Sequence, residues 1–61
     1  MLSRKDYIAI ASIIKENLKD AGDIEAQKYA IELMASDLID YMQADNERFD
    51  IDKFEKASGL K

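Results

Sequence analysis

Six carboxylates crowd one stretch of the 61-residue chain: Asp37, Asp40, Asp45, Glu47, Asp50 and Asp52, with Arg48 as the only cation among them. Paired carboxylates can exchange protons with a substrate, but only where a pocket moves their pKa values apart. A chain this short has little interior from which to build one, so catalysis is not expected. Calcium is the next possibility. A helix-loop-helix calcium loop starting at Asp45 would need Gly at its sixth position and Glu at its twelfth. Asp50 and Lys56 stand there instead. A third chemistry is mimicry, in which Asp37, Asp40, Asp45 and Glu47 imitate a line of phosphates and occupy a basic site on another protein. Cys and His are both absent. That removes disulfides, thiol chemistry and the usual zinc and haem ligands, so neither a metal nor a cofactor is expected.

The element that must carry these groups is a long helix from about residue 24 to 45. At about 100° per residue, Ile24, Ala30, Ile31, Met34, Ala35, Leu38, Tyr41 and Met42 fall on one broad arc, with Ile39 at its edge. A second apolar line, Ala26, Tyr29, Leu33 and Ala44, runs on nearly the opposite side. Glu25, Lys28, Glu32, Ser36 and Gln43 form the strip left for water. An ordinary surface helix shows a stripe only a little over ~100° wide. The excess predicts that this helix is central, touching two others of its own chain, with Tyr29 and Leu33 free to meet a second chain.

The first helix is expected over residues 4–21. Ser3 is a good N-cap, Asp6 completes a near capping box, and Leu2 and Tyr7 hold the staple positions around it. Its inner face is Tyr7, Ile10, Ala11, Ile14, Leu18 and Ala21, with Ile8 and Ile13 on the two flanks. Arg4 and Lys5 in the first turn oppose the helix dipole, at a cost of a few tenths of a kcal/mol each. Gly22 is expected to end the helix in the left-handed conformation, and Asp23 to cap the next. So short a connection predicts an antiparallel hairpin.

A short third helix is expected over residues 51–57. Asp50 caps it, Phe49 and Phe54 staple it, and Gly59 closes it with Leu60 folding back. Asn46 suits a left-handed stop for the helix before it. Seven residues cannot hold a helix in water alone. Phe49, Phe54, Ala57 and Leu60 must therefore dock on helix 1 or helix 2. The fold class is thus all-α, a two-helix hairpin plus a short C-terminal helix in one domain.

Composition narrows the partners. A net charge of −4 disfavours direct nucleic-acid binding, which needs clustered Lys and Arg to displace counterions. No stretch approaches the ~18 apolar residues of a membrane span, and no signal-peptide pattern follows Met1. Domains of this size are marginal without disulfides, metals, oligomerisation or tight helix packing. Oligomerisation or packing is what remains. The expectation is a self-associating interaction module, a homodimer, with Ile8, Ile13, Tyr29 and Leu33 as its candidate surface. The alternative is the acidic inhibitor described above.

The segment Asn46-Glu47-Arg48-Phe49-Asp50-Ile51-Asp52-Lys53-Phe54-Glu55-Lys56-Ala57-Ser58-Gly59 resembles the ending of small orphan proteins from tailed bacteriophages, of the type N-x-R-F-D-x-x-x-F-x-x-A-x-G. The lead Met1-Leu2-Ser3-Arg4-Lys5-Asp6-Tyr7, followed by an Ile/Ala-rich helix, is similar to their beginnings. The likeness covers both ends and leaves the middle unmatched. It implies a phage origin, a location in the cytoplasm of an infected bacterium, and a host protein as a possible target of the acidic surface. It carries over no functional residues.

Overall fold

The computed structural model describes residues 2–61; Met1, the first residue of the phage-like lead, lies outside them. Three helices follow one another: α1 (Arg4–Ala21), α2 (Glu25–Asp45) and α3 (Ile51–Ser58). No strand occurs among the described residues. The long axis measures 33 Å. A 21-residue helix is about 31 Å long, so α2 runs nearly from end to end.

The central helix is α1, not α2. Both α2 and α3 pack mainly on α1. The reason lies in where α2 stops. The Leu2 backbone N–H donates to the Asp45 carboxylate at 2.6 Å, which places the end of α2 beside the start of α1. Only residues 46–50 separate α2 from α3. The short link therefore sets α3 down against the first turns of α1. From there α3 runs alongside it, so that a Cβ added at Gly59 would lie 3.9 Å from the Lys15 and Leu18 side chains.

The core consists of Ala11 and Ile14 of α1, Ala35 and Met42 of α2, and Phe54 of α3. Leu2, Tyr7, Ile10, Leu18, Ile31, Leu38, Ile39, Phe49 and Leu60 pack around it. The expected inner face of α1 is the observed one. On α2 the buried stripe is narrower than the broad arc: Ile31, Ala35, Leu38, Ile39 and Met42 turn inward, while Ile24, Ala30, Met34 and Tyr41 stay exposed. One neighbouring helix covers one stripe, and the surplus faces out. Lys28 is half-buried instead of wet, since its position borders the inward stripe and its stem can lie along apolar surface.

The helix ends show which local signals prevailed. The Asp6 carboxylate accepts from both the N–H and the hydroxyl of Ser3, at 2.9 and 3.1 Å, the first of these being the bond that the third residue of a capping box supplies. Asp50 caps α3 by accepting from the Lys53 N–H at 3.1 Å. Gly59 is left-handed at φ 81, ψ 11. Its N–H reaches the Lys56 carbonyl and the Leu60 N–H the Glu55 carbonyl, the paired bonds of a Schellman closure.

Other expectations at the helix ends fail. Asp23 caps nothing: the N-cap of α2 is Ile24, with no side-chain bond, because the helix starts one residue later than Asp23 could serve. Gly22 has a positive φ of 57, but its ψ of −124 lies outside the left-handed helical well. Asn46 is extended at φ −146; its side-chain oxygen accepts from the Arg48 N–H instead, forming a turn that releases the chain toward α3. In α3, Ser58 and not Ala57 is buried, because Ser58 lies one full turn beyond Phe54 on the same face. The Ser58 hydroxyl is satisfied by the Glu55 carbonyl at 3.2 Å.

Candidate functional site

The candidate surface residues do not form one patch. Ile8 lies on the α3 side of α1, in a groove it shares with Phe49 and Phe54. Ile13 sits on the flank of α1 away from α3. Tyr29 and Leu33 are on the outer side of α2. All four are more than half exposed, from 52% for Leu33 to 63% for Tyr29.

The outer side of α2 carries more than those two residues. Met34 and Tyr41 are exposed at 51% and 64%, and Ala26, Ala30 and Ala44 are exposed as well. Taking about 100° per residue, Tyr29, Leu33, Ala26, Ala44, Ala30, Tyr41 and Met34 span an outward arc of roughly 140°. Only Asp37 and Asp40 interrupt it. Periodicity alone assigned Met34 and Tyr41 to the core. The signal that separates them is their angle: Tyr41 lies nearer the outward line of Leu33 and Ala44 than the Ala35–Met42 axis, and Met34 falls midway between the two.

Positions on this face are symmetric about the middle of the helix. Counted outward from Ala35, Ala26 answers Ala44 and Tyr29 answers Tyr41. Leu33 answers Asp37, and Ala30 answers Asp40. Ala35 itself is fully buried on the opposite side. Two of these pairs match like with like, while the other two set an apolar residue against a carboxylate.

The acidic residues are dispersed. Asp37, Asp40 and Glu47 are exposed, but Asp45 is partly buried and holds the Leu2 N–H. Asp50 is engaged as a cap. Asp52 pairs with Lys61 at 2.7 Å, and Lys61 also reaches Glu55 at 3.5 Å. The hydrogen bond and charge of Lys61 lower the Asp52 pKa, and the same bond to Asp52 raises that of Lys61. Asp6 is lowered by its two bonds from Ser3, the backbone one first. These couplings stay within helix ends and the C-terminal tail. No group of carboxylates among the described residues is arranged to hold a metal ion.

One cluster lay outside the sequence reading. Tyr7 joins the two phenylalanines: its ring centroid is 4.9 Å from that of Phe49, which in turn meets Phe54 edge-on at 5.4 Å. The Phe49–Phe54 staple was legible from its spacing about Asp50. Tyr7 was legible as a staple partner of Leu2 and as part of the inner face of α1, but not as a partner of Phe49, because that contact depends on how α3 is laid down. The Tyr7 hydroxyl is buried without a hydrogen-bond partner.

No helix among the described residues is long and apolar enough to cross a membrane. No protein family, curated protein sequence or solved structure matches the chain.

Proposed function

We propose that the protein is a non-enzymatic interaction module that pairs with a second copy of itself through the outer face of α2. The observation that carries this reading is the exposed apolar arc of that face, in which Tyr29 and Tyr41, and Ala26 and Ala44, stand symmetrically about Ala35. A two-fold interface places the same patch of each copy against itself, so residue i of one meets residue j of the other and the reverse. Antiparallel α2 helices centred on Ala35 would set Tyr29 against the other copy's Tyr41, and Ala26 against its Ala44. The same register would set Leu33 against the other copy's Asp37 and Ala30 against its Asp40. Two antiparallel α1–α2 hairpins joined this way make a four-helix core flanked by two copies of α3. Leu2 bonded to Asp45 supports the hairpin register, and counting back from that contact sets Ile13 level with Met34, at the margin of the same face.

The size of the chain supports the same reading. It has no cysteine for a disulfide and, among the described residues, no side-chain cluster that could hold a metal, and monomers of this kind rarely leave an apolar strip running the length of the molecule. Leu33→Asp is expected to split the pair, as read by sizing chromatography, with the helical circular dichroism of the monomer retained. A variant still paired would refute the reading.

Exposed Asp37 and Asp40 support a second reading, an acidic surface for a basic site on a host nucleic-acid-binding or defence protein. The phage-like ends of the chain agree with it, and with the cytoplasm of an infected bacterium as its setting. The two readings separate on one change. Asp37→Asn with Asp40→Asn removes two carboxylates from the apolar face. It tightens self-association if α2 is the dimer helix, and abolishes binding to a basic target if mimicry is the function.

A further inference from the structure

The groove between the first turns of α1 and α3 combines an apolar floor with a cationic rim. Tyr7, Ile8, Ala11, Phe49, Phe54 and Ala57 form the floor, Arg4 and Lys53 stand at its edge, and its volume is about 370 Å³. That is the lower part of the range typical of small-molecule sites.

Three observations bear on what would fill it. Arg4 occupies the first position of α1 and Lys53 the third of α3. Both therefore lie where the helix dipole already presents partial positive charge and where a cation is disfavoured. These two misplaced cations, on different helices, line the same groove. Neither makes an ion pair among the described residues, whereas Lys28 and Lys61 do. Because the two helices begin side by side, their positive ends add at this one place in a chain of net charge −4. The remaining charged residue of the lining, Asp50, has its carboxylate turned to the Lys53 N–H as the α3 cap.

We infer that this groove binds an amphipathic monoanion, a carboxylate with an apolar body of the size of a medium-chain fatty acid. The body would lie on Ile8, Phe49 and Phe54, and the head would take charge-assisted hydrogen bonds from Arg4 and Lys53. This explains the exposure of Ile8, which the outer face of α2 does not reach. It also gives Arg4 a role that the stability of α1 does not. The site is separate from the α2 face, so it stands or falls independently of self-association.

The test uses the full chain and decanoate below its micellar concentration. Amide chemical shifts of the labelled protein are followed against decanoate and against decanol, the uncharged chain of equal length. The expected result is saturable shifts confined to the first turns of α1 and the segment 49–57. Decanol should bind about tenfold or more weakly, since tenfold corresponds to about 1.4 kcal/mol, the scale of one charge-assisted contact. Arg4→Gln with Lys53→Gln should lower decanoate affinity by the same order and leave decanol binding unchanged. Equal binding of the two chains by the wild-type protein, shifts spread along the outer face of α2, or no saturable binding at millimolar decanoate would each overturn the proposal. The comparison of the two chains needs no variant, so it holds even if the double substitution unfolds the domain.

Discussion

The Leu2 backbone N–H and the Asp45 carboxylate, 43 positions apart, meet at 2.6 Å. This contact ties the entry of α1 to the exit of α2 and thereby decides where α3 begins. A hydrogen bond to a charged acceptor contributes about 1.5–3 kcal/mol. Asp45→Ala should lower stability by an amount of that order in urea denaturation. Asp45→Asn, which keeps an acceptor, should lose less. Equal losses for the two would mean that charge, not the bond, holds the ends together.

The partnerless Tyr7 hydroxyl predicts an unusual gain. A buried polar group without a partner costs about 1–3 kcal/mol. Tyr7→Phe keeps the ring against Phe49 and removes that cost, so the melting temperature should rise. Tyr7→Ala removes the ring and should cost about 3–5 kcal/mol, enough to unfold a domain of this size. A drop in melting temperature for Tyr7→Phe would mean that the hydroxyl has a partner in solution.

Gly22 and Gly59 both have positive φ, yet they should respond differently to asparagine. Gly59 sits in the left-handed helical well, which Asn enters at low cost. Gly22 combines φ 57 with ψ −124, a region that is close to glycine-only and costs other residues about 1–3 kcal/mol. A Cβ at Gly22 would meet nothing within 4 Å, so the cost there is purely of the backbone. Gly59→Asn should be nearly neutral in thermal melts and Gly22→Asn clearly destabilising. Equal effects would contradict the assigned backbone geometry.

The pH dependence follows from three groups. Asp6 and Asp52 titrate below their ordinary value of 3.8 in the folded chain. Each therefore contributes stability that is complete above that value and is lost as pH falls through the lowered one. Lys61 titrates above its ordinary 10.5, so its contribution is complete below that value and is lost as pH rises through the raised one. Melting temperature should be flat between these limits and fall at both ends. Asp6→Asn should flatten the acid limb alone, while Lys61→Met should shrink both limbs. An acid limb unchanged by Asp6→Asn would show that the capping box does not hold α1 in solution.

How much of this was readable in advance depended on how local each signal was. The Ser3–Asp6 box, the Asp50 cap, the Phe49–Phe54 staple and the Gly59 closure all act within about one turn, and each was visible in spacing. The inner face of α1 was visible because its apolar residues share one narrow stripe. α2 misled because it carries apolar residues nearly all round. Periodicity cannot say which arc a neighbour covers, so Met34 and Tyr41 were assigned inward and α2 was placed at the centre. The central role of α1 depends on the Leu2–Asp45 contact and on the short link at 46–50, which no single window contains. The candidate acidic set lost Asp45 to that contact. The candidate apolar set divided, with Ile8 going to the α3 groove and Tyr29 and Leu33 to the outer face.

The central claim, pairing through the outer face of α2, is tested most directly by light scattering on a sizing column over a range of concentrations. The expected mass is twice that of the 7.0 kDa chain, shifting to a single chain for Leu33→Asp. A wild-type mass of one chain at every concentration would contradict the account, and would leave the face from Ala26 to Ala44 without the occupant assigned to it.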